Sequence, residues 1–493
     1  MIDRIMIALQ ASKQQPKYWI AILLPIYFAT IQLYLRSQAG PFWQWNLLDP
    51  SYFYLFDGLN LLNGDTPGHI YHPGVTVHAF NAILIWLHEL ITSDHALRLA
   101  FLEPERYLYF LSDAVIILNS LALVIVGLIG HRVLGSWLPA LVCQLAPFTS
   151  SIILKHAFLP KPEALLVFST IAIISLSLLA LREALSSSFR DRLGIGFGVI
   201  IGFVLATKIT AAPMFLLPLF LLRRGRSVLI FSGVTTVSFA FFFLPAWGAA
   251  EQYLDWLVRV ASASGPHGSG PKGLFDVENY LSGFFKILKR PSMKIPLAMA
   301  LLAIGLTAWR FWKGWKIEVK DMWVILGVSA VQLGQTIIVA KQPTAFYMIP
   351  SYMLASVSLL FSIRIFWHAT SHLWKRTIAA RTIGSFLFAG FIAAQTWGVS
   401  KLAGHLEMEK HDSMSVDNNA FKDCARIYNY AASAPIFAAY LADYVTGARF
   451  SKVLKSQFSE NDFWIDDWWD WEPVRLKNWD GEHDIKAVIG RYP

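Results

Sequence analysis

The sequence predicts an all-α, polytopic membrane protein, and two features of its composition carry that prediction. Of its 493 residues, 55% are hydrophobic and only 15% are charged, whereas roughly 25% of the residues of a soluble globular protein are charged. The apolar residues also collect in runs of about 20, the length that an α-helix needs to cross the hydrocarbon core of a bilayer.

The apolar runs predict a bundle of about eleven transmembrane helices. In chain order they cover residues 18–36, 107–130, 136–154, 163–181, 193–208, 211–222, 227–246, 294–309, 322–340, 344–363 and 382–399. The run at 211–222 is short, so it is either a separate span or one half of a broken helix. In the second case the count is ten.

Clusters of Lys and Arg predict the orientation, because cytoplasmic loops of membrane proteins are enriched in these residues. With a cytoplasmic N-terminus, successive basic segments fall on the cytoplasmic side, at 4–17, 131–132, 182–192, 223–226, 310–320 and 364–381. The long segments 37–106 and 247–293 and the tail after residue 400 then lie outside. Ionisable residues in these outer segments favour chemistry at the outer membrane surface.

The formal net charge of +9 does not indicate a nucleic-acid partner. The cationic residues lie in short clusters between apolar runs, where membrane orientation explains them, and they form no basic face. The cysteines Cys143 and Cys424 make no disulfide framework.

The first outer segment contains the stretch "WNLLDPSYFYLFDGLNLLNGDTPGHIYHPG". Asp49 precedes Pro50 and apolar residues at helical spacing, which predicts an interfacial helix that starts near Asp49. Asp49 either caps this helix or presents a carboxylate that serves as a general base. His69 and His72 either stabilise a turn or bind substrate.

Two other polar residues of this segment are assigned structural positions. We expect Asp57 to face solvent. We expect His78 to pack within an apolar helical stretch at 73–92.

Three further stretches place polar residues at predicted outer ends of spans. They are "LKHAFLPKPEALLVF", "LATKITAAP" and "VAKQPTAFYMIP", which contain His156, Lys161, Glu163, Lys208, Lys341 and Tyr347. Each lysine is interpreted either as a membrane anchor or as part of a phosphate-binding cradle, since Lys binds phosphate as a point charge. Glu163 is also a first-turn acid, which the helix dipole favours.

The order of these motifs resembles the GT-C glycosyltransferases, specifically the bacterial relatives of protein O-mannosyltransferases and of the aminoarabinose transferase that modifies lipid A. Over residues 18–363, five elements correspond in part to family motifs. Asp49-Pro50-Ser51-Tyr52 corresponds to Asp-Glu-x-x-Tyr, and His72-Pro73-Gly74 corresponds to His-Pro-Pro. Pro160-Lys161-Pro162-Glu163 corresponds to an acidic outer link, Gly202 through Thr207-Lys208 to Gly-x-x-x-x-Thr-Lys, and "KQPTAFYMIP" to Lys-x-x-Arg-Tyr-x-x-Pro. The first element lacks the second acid and its aromatic residue is one place early. The last lacks the arginine, and its tyrosine is displaced.

The resemblance implies transfer of a sugar from a polyprenyl-phosphate donor to a lipid, glycan or protein acceptor, at the outer face of a bacterial cytoplasmic membrane. It implies that Asp49 is the general base and that Glu163 assists it or holds a metal. Lys161, Lys208 and Lys341 would bind the donor phosphate, and the substrate-binding residues would be Tyr52, His69, His72, His156 and Tyr347. No cofactor is required. A divalent metal is an alternative, because Asp49, His69, His72, His156 and Glu163 offer oxygen and nitrogen ligands.

The predicted domain layout is a GT-C-like transmembrane domain at 1–399 and a small soluble extracytoplasmic domain at 400–493. Within the outer segment 247–293, the stretch "ASASGPHGSGPKG" is either a spacer or a lid over the site. The tail stretch "DNNAFKDCARIYNYAASAPIFAAYLAD" is predicted to be helical. The tryptophan-rich stretch after it either packs as part of a cap or recognises the acceptor.

Two other functions stay open at this point. A secondary transporter or lipid flippase also needs many spans, but it would bring ionisable residues face to face within the bundle. A polysaccharide polymerase or ligase shares the lipid-linked donor and the outer site. That class relies on arginines in its outer loops, which are Arg-poor here.

Overall fold

A computed structural model describes most of the chain. The described residues are 18–44, 50–71, 74–92, 100–182, 185–314, 319–370, 378–416, 424, 426–428, 434–457, 463–466 and 475–491. Asp49 and His72, which the sequence marks as a base and a substrate-binding residue, lie outside these ranges.

The described chain is overwhelmingly helical. Its helices are α1 (Ile20–Ala39), α2 (Ser51–Leu62), α3 (Val75–Thr92), α4 (Pro104–Leu134), α5 (Trp137–Gln144), α6 (Ser151–His156), α7 (Pro162–Ala180), α8 (Ser187–Thr207), α9 (Leu216–Leu222), α10 (Gly225–Phe243), α11 (Ala250–Ser262), α12 (Val277–Leu288), α13 (Pro291–Trp312), α14 (Val319–Val339), α15 (Ile349–Thr370), α16 (Ile378–Val416), α17 (Pro435–Val445), α18 (Ser451–Gln457) and α19 (Ile485–Ile489). Short 3₁₀ helices join several of them.

Among the described residues, eight helical segments are long and apolar enough to cross a membrane: Ile20–Ala39, Val75–Thr92, Pro104–Leu134, Pro162–Ala180, Gly225–Ser262, Pro291–Trp312, Lys320–Val339 and Ala345–Ala369. The prediction of an all-α polytopic membrane protein is confirmed in this coarse form, and the count of eleven spans is not. The predicted short run lies in a shorter apolar helical segment, Ile209–Leu222.

The predicted span at 136–154 is broken into α5, a 3₁₀ helix at Ala146–Thr149, and α6. Pro147 cannot donate a backbone hydrogen bond within a continuous α-helix, and Ser150 has extended backbone angles (φ −154°, ψ 137°). The break leaves His156 at the end of a short helix, close to the start of α7.

The first outer segment forms the predicted helix, but that helix does not lie with one face free. All residues of α2 from Ser51 to Asn60 are buried. α3 packs on one side of α2 and α17 from the tail packs on another, where Asn60 Nδ2 donates to the carbonyl of Thr446 at 2.9 Å. The expectation of an interfacial α2 is therefore corrected: the tail covers the face that was assigned to the interface.

The predicted domain boundary at 399/400 falls inside α16, which continues to Val416. Beyond it, a four-stranded sheet contains β1 (Ile427–Tyr428), β2 (Trp464–Asp466), β3 (Arg475–Asn478) and β4 (Gly481–Asp484) in that order. β1 and β2 are parallel, and the other neighbouring pairs are antiparallel.

Part of the tail stretch that was predicted to be helical forms β1, and its helix begins only at Pro435. The tryptophan side chains that the structure describes near the sheet pack internally. Trp464 is 2% exposed and lies edge-on to His483, and Trp479 lies edge-on to Phe463.

The tail and the first outer segment are joined by further hydrogen bonds. Arg449 donates to the carbonyl of Thr66 at 2.6 Å, and Gln457 donates to the carbonyl of Phe101 at 2.8 Å. The described part of the tail is therefore fastened to the membrane domain.

The Gly- and Ser-rich stretch after α11 folds back on itself. Ser264 N donates to Pro271 O at 2.9 Å and Gly265 N donates to Ser269 O at 2.8 Å. After it, α12 exposes Leu281 and Phe285 on one face. On the other face, a Cβ atom at Gly283 would lie 2.1 Å from Ala340 O, so this glycine permits close contact between α12 and the end of α14.

Candidate functional site

Proline residues position two charged side chains at the start of α7. Lys161 has an extended backbone (φ −134°, ψ 166°), as expected for a residue that precedes proline. Pro162 occupies the first helical position, which places Glu163 in the first turn. Lys161 and Glu163 are 5% and 2% exposed.

Lys208 reaches Glu163 from the end of α8. The helix stops at Thr207, Lys208 is extended (φ −160°, ψ 115°), and a 3₁₀ helix at Ile209–Phe215 follows. The Lys208 ammonium donates to Glu163 Oε1, and both side chains are buried. Below, Lys161, Glu163 and Lys208 are called the lysine–glutamate cluster.

Aromatic rings cover this cluster. Phe346 and Tyr347 lie in a 3₁₀ helix at Ala345–Met348, with ring centroids 5.0 and 4.6 Å from Lys208 Nζ, within cation–π range. Gln335 Nε2 donates to the Tyr347 carbonyl at 2.7 Å and holds this short helix in place. On the other side, Lys161 Nζ lies 5.9 Å from the centre of the Tyr54 ring.

The cluster places two lysine side chains beside one carboxylate. His156 adds no charge at neutral pH. Burial is the largest cause that lowers its pKa to about 3; Glu163 opposes this shift and the neighbouring lysines add to it. The His156 ring also packs on Phe346 at 5.1 Å.

The turn that leads into α3, in the middle of the first outer segment, contacts the same region. Thr76 Oγ1 and Thr207 Oγ1 share a hydrogen bond of 2.7 Å, and Gly74 N donates to Thr207 O at 3.2 Å. Gly74 therefore lies immediately before α3 in the sequence and contacts Thr207, the residue before Lys208.

The structure brings together five of the residues that the sequence predicts for the site: His156, Lys161, Glu163, Lys208 and Tyr347. Lys341 has a different partner, since its Nζ donates to the carbonyl of Val260 in α11 at 2.5 Å. Burial lowers the pKa of Lys341.

Tyr52 is held internally. Its hydroxyl donates to Glu105 Oε1 at 2.9 Å, and the same carboxylate accepts from the backbone N–H groups of Phe42 and Trp43. Burial, together with the Glu105 charge, raises the pKa of Tyr52 well above its usual value. In this arrangement Tyr52 fastens α2 to the start of α4.

A second polar cluster was missed at the sequence level. Asp57 was expected to face solvent and is fully buried, and His78, expected to pack, lies beside it. Asp57 Oδ1 accepts from Gly68 N at 2.8 Å, and Oδ2 accepts from His69 N at 3.0 Å. Burial raises the pKa of Asp57 to about 7, against the lowering effect of these hydrogen bonds.

Among the described residues, Asp57, His69 and His78 offer ligand atoms that lie within 4.8 Å of one another. They could hold a metal ion, and they share only His69 with the ligand set that the sequence suggested. Their separations along the chain match no diagnostic metal motif. A usable signal was Asp57 itself, a carboxylate among apolar residues on every side of a helix.

Two separate polar clusters thus lie near one another, the second of them within the first outer segment, with Tyr54 adjacent to both. The Tyr54 ring centroid is 5.5 Å from that of His69 and 5.6 Å from that of His78. Comparison of the chain with protein-family models, curated proteins and solved structures found no match, so the likeness to the GT-C glycosyltransferases rests on the residues themselves.

Proposed function

We propose that this protein is an integral-membrane glycosyltransferase that moves a sugar from a polyprenyl-phosphate donor to a lipid, glycan or protein acceptor. The observation that carries the proposal is the lysine–glutamate cluster, in which two lysines and a carboxylate are buried next to Phe346 and Tyr347. In this proposal the N-terminus is cytoplasmic, and the cluster faces the outer side of a bacterial cytoplasmic membrane.

The lysines of the cluster suit the donor. A polyprenyl-phosphate sugar is a phosphodiester with one negative charge, and Lys binds phosphate as a point charge. When the bond between the anomeric carbon and the phosphate oxygen breaks, its electron pair stays on the phosphate and creates a second negative charge. Buried cations stabilise such developing charge more strongly than water does.

Each residue of the cluster has a proposed role. Lys161 and Lys208 bind the phosphate, and Glu163 orients Lys208 and offsets part of the lysine charge. The rings of Phe346 and Tyr347 exclude water and offer an apolar surface to the first prenyl units or the sugar.

Asp49 is the proposed general base, on the sequence resemblance alone. It would take the proton of the acceptor hydroxyl as that oxygen attacks the anomeric carbon. His69, His72 and Tyr52 are proposed to shape the acceptor side, Tyr52 through its bond to Glu105. Lys341 is proposed to assist donor binding after release from Val260.

One observation favours a second function, a secondary transporter or lipid flippase. Ionisable residues that face each other within a membrane bundle are typical of ion and substrate pathways, and Glu163 and Lys208 form such a buried pair. The experiment must therefore distinguish transfer from transport.

The test uses the full chain in proteoliposomes that contain radiolabelled polyprenyl-phosphate sugars. A glycosyltransferase consumes the donor and releases polyprenyl phosphate. We expect Asp49→Asn to lose this activity and Lys161→Gln to need a higher donor concentration for it. Lys155→Gln is the matched control, because Lys155 lies in α6, close to Lys161 in the sequence, and pairs with Glu409 at 4.0 Å. Movement of intact lipid or solute across the vesicle without donor cleavage would replace the proposal with the transporter.

A further inference from the structure

We propose that Asp57, His69 and His78 bind one divalent transition-metal ion of the zinc class. This proposal does not depend on the glycosyltransferase activity, since it rests on a cluster separate from the lysine–glutamate cluster. The metal would join three parts of the first outer segment: the middle of α2, the connecting stretch that contains His69, and the first turn of α3.

The three side chains have the geometry of a metal site. One ligand atom from each lies within 4.8 Å of the others, and His78 Nε2 and Asp57 Oδ2 are 3.5 Å apart. That separation exceeds the usual hydrogen-bond range of about 2.7–3.2 Å. Zinc–nitrogen and zinc–oxygen bonds of about 2.0–2.2 Å in a tetrahedron put neighbouring ligand atoms roughly 3.4 Å apart.

Hydrogen bonds hold the Asp57 carboxylate in place, as they do for carboxylates that bind metals. Asp57 Oδ1 accepts from Gly68 N and, at 3.2 Å, from Asn60 Nδ2, while His69 N donates to Oδ2. Such outer hydrogen bonds orient a ligand before the metal arrives. Each carboxylate oxygen has two lone pairs. The two bonds to Oδ1 use both of its lone pairs, and the single bond to Oδ2 leaves one lone pair for a metal.

The turn before α3 leaves space around the ligand atom of His78. Gly74 has a positive φ of 66°, and a Cβ atom there would lie 3.3 Å from His78 Nε2. A glycine at this turn therefore keeps the ligand atom of His78 uncrowded.

The ligand chemistry selects the class of ion. Two imidazoles and one carboxylate suit Zn²⁺ and its neighbours, whereas Mg²⁺ and Ca²⁺ take oxygen ligands. Three protein ligands leave one tetrahedral position for a water. Burial of all three side chains, at 0%, 4% and 0% exposure, favours a structural role.

The consequence of binding is positional. A metal at this site would hold the start of α3, and thereby Gly74 and Thr76, against Thr207 beside Lys208. It would also fix the two histidines that contact the Tyr54 ring.

The experiment measures metal directly on the full chain, purified in detergent without a polyhistidine tag. After chelator treatment the protein is titrated with Co²⁺, which absorbs visible light strongly in tetrahedral sites, and then with competing Zn²⁺. We expect one Co²⁺ per chain, displaced by Zn²⁺, and a rise in Tm on Zn²⁺ addition.

Two variants and one matched control accompany the wild type. Asp57→Asn and His78→Gln should weaken metal binding at least about 100-fold and abolish the Zn²⁺-dependent rise in Tm. His88→Gln is the control, because His88 lies on the same helix but packs on Tyr107 and Phe110. It should bind as the wild type does.

Two results would overturn the proposal. One is a folded wild type that binds neither Co²⁺ nor Zn²⁺, which would make Asp57 a purely hydrogen-bonded anchor of the segment. The other is equal loss of binding in His88→Gln and His78→Gln. Because the wild-type titration requires no variant to fold and no sugar transfer, neither result bears on the proposed function.

Discussion

Lys208 at the end of α8 donates its ammonium to the carboxylate of Glu163 at the start of α7, with both side chains buried. A buried pair of this kind gains little net stability over apolar residues, but removal of one partner leaves an uncompensated charge. A site that retains it in an apolar bundle, with a second lysine nearby, is organised around charge.

The first prediction concerns this pair. Glu163→Gln should destabilise the protein by about 3–5 kcal/mol, because it leaves the Lys208 charge buried without its partner. The double variant Glu163→Gln, Lys208→Met should recover most of that loss. Equilibrium unfolding in detergent measures both, and an additive double variant would show that the two side chains do not interact.

The second prediction concerns donor binding. Lys161→Gln removes one of the two lysine charges of the cluster and should raise KM for the polyprenyl-phosphate sugar about 10- to 100-fold, the size expected for a lost hydrogen bond to a charged group. Lys155→Gln, matched in chemistry and close in sequence, should leave KM unchanged. Initial rates over a range of donor concentrations give both values, and equal effects would exclude a specific role for Lys161.

The third prediction separates Tyr52 from the chemistry. Tyr52→Phe removes a donor from the mostly buried Glu105 carboxylate and should cost about 1–3 kcal/mol of stability. Because Tyr52 fastens α2 to α4, the change should lower Tm and leave donor KM unaltered. A raised KM with unchanged Tm would instead make Tyr52 a direct substrate contact.

The fourth prediction concerns pH. Burial lowers the pKa of His156 from 6.5 to about 3. Between these two pH values, the His156 imidazole binds a proton in the unfolded chain but not in the folded chain. The contribution of neutral His156 to stability is complete above pH 6.5 and is lost as pH falls towards 3, by about 1.4 kcal/mol per pH unit. His156→Gln should unfold with a correspondingly weaker pH dependence; equal slopes between pH 7.5 and pH 5 would contradict the prediction.

The fifth prediction concerns the docking of the tail. A Cβ atom at Gly68 would lie 2.5 Å from the backbone carbon of Thr446, so Gly68→Ala should loosen the contact between the first outer segment and α17. We expect faster limited proteolysis between residues 434 and 457. The Gly233→Ala variant places its Cβ atom in open space and should be cleaved at the wild-type rate. An unchanged rate in Gly68→Ala would show that the contact accommodates the methyl group without detaching the tail.

Local patterns account for much of the site. Proline before Glu163 predicts where α7 begins, and the run of apolar residues before Lys208 predicts that a lysine ends the next span, so both charges could be placed at span ends from sequence. That they touch each other, beneath Phe346 and Tyr347, follows from helix packing, which a single sequence does not display.

The amino-acid sequence by itself determined that this chain is an all-α membrane protein with a polar first outer segment, because hydrophobicity and helical period are local properties. Only the tertiary structure decided that α2 is buried on all sides, that α16 runs through the expected boundary, and that Asp57 meets His69 and His78. These outcomes depend on contacts between residues distant along the chain, such as Asn60 with Thr446. The free energy of such contacts depends on how the helices pack, and no local pattern records it.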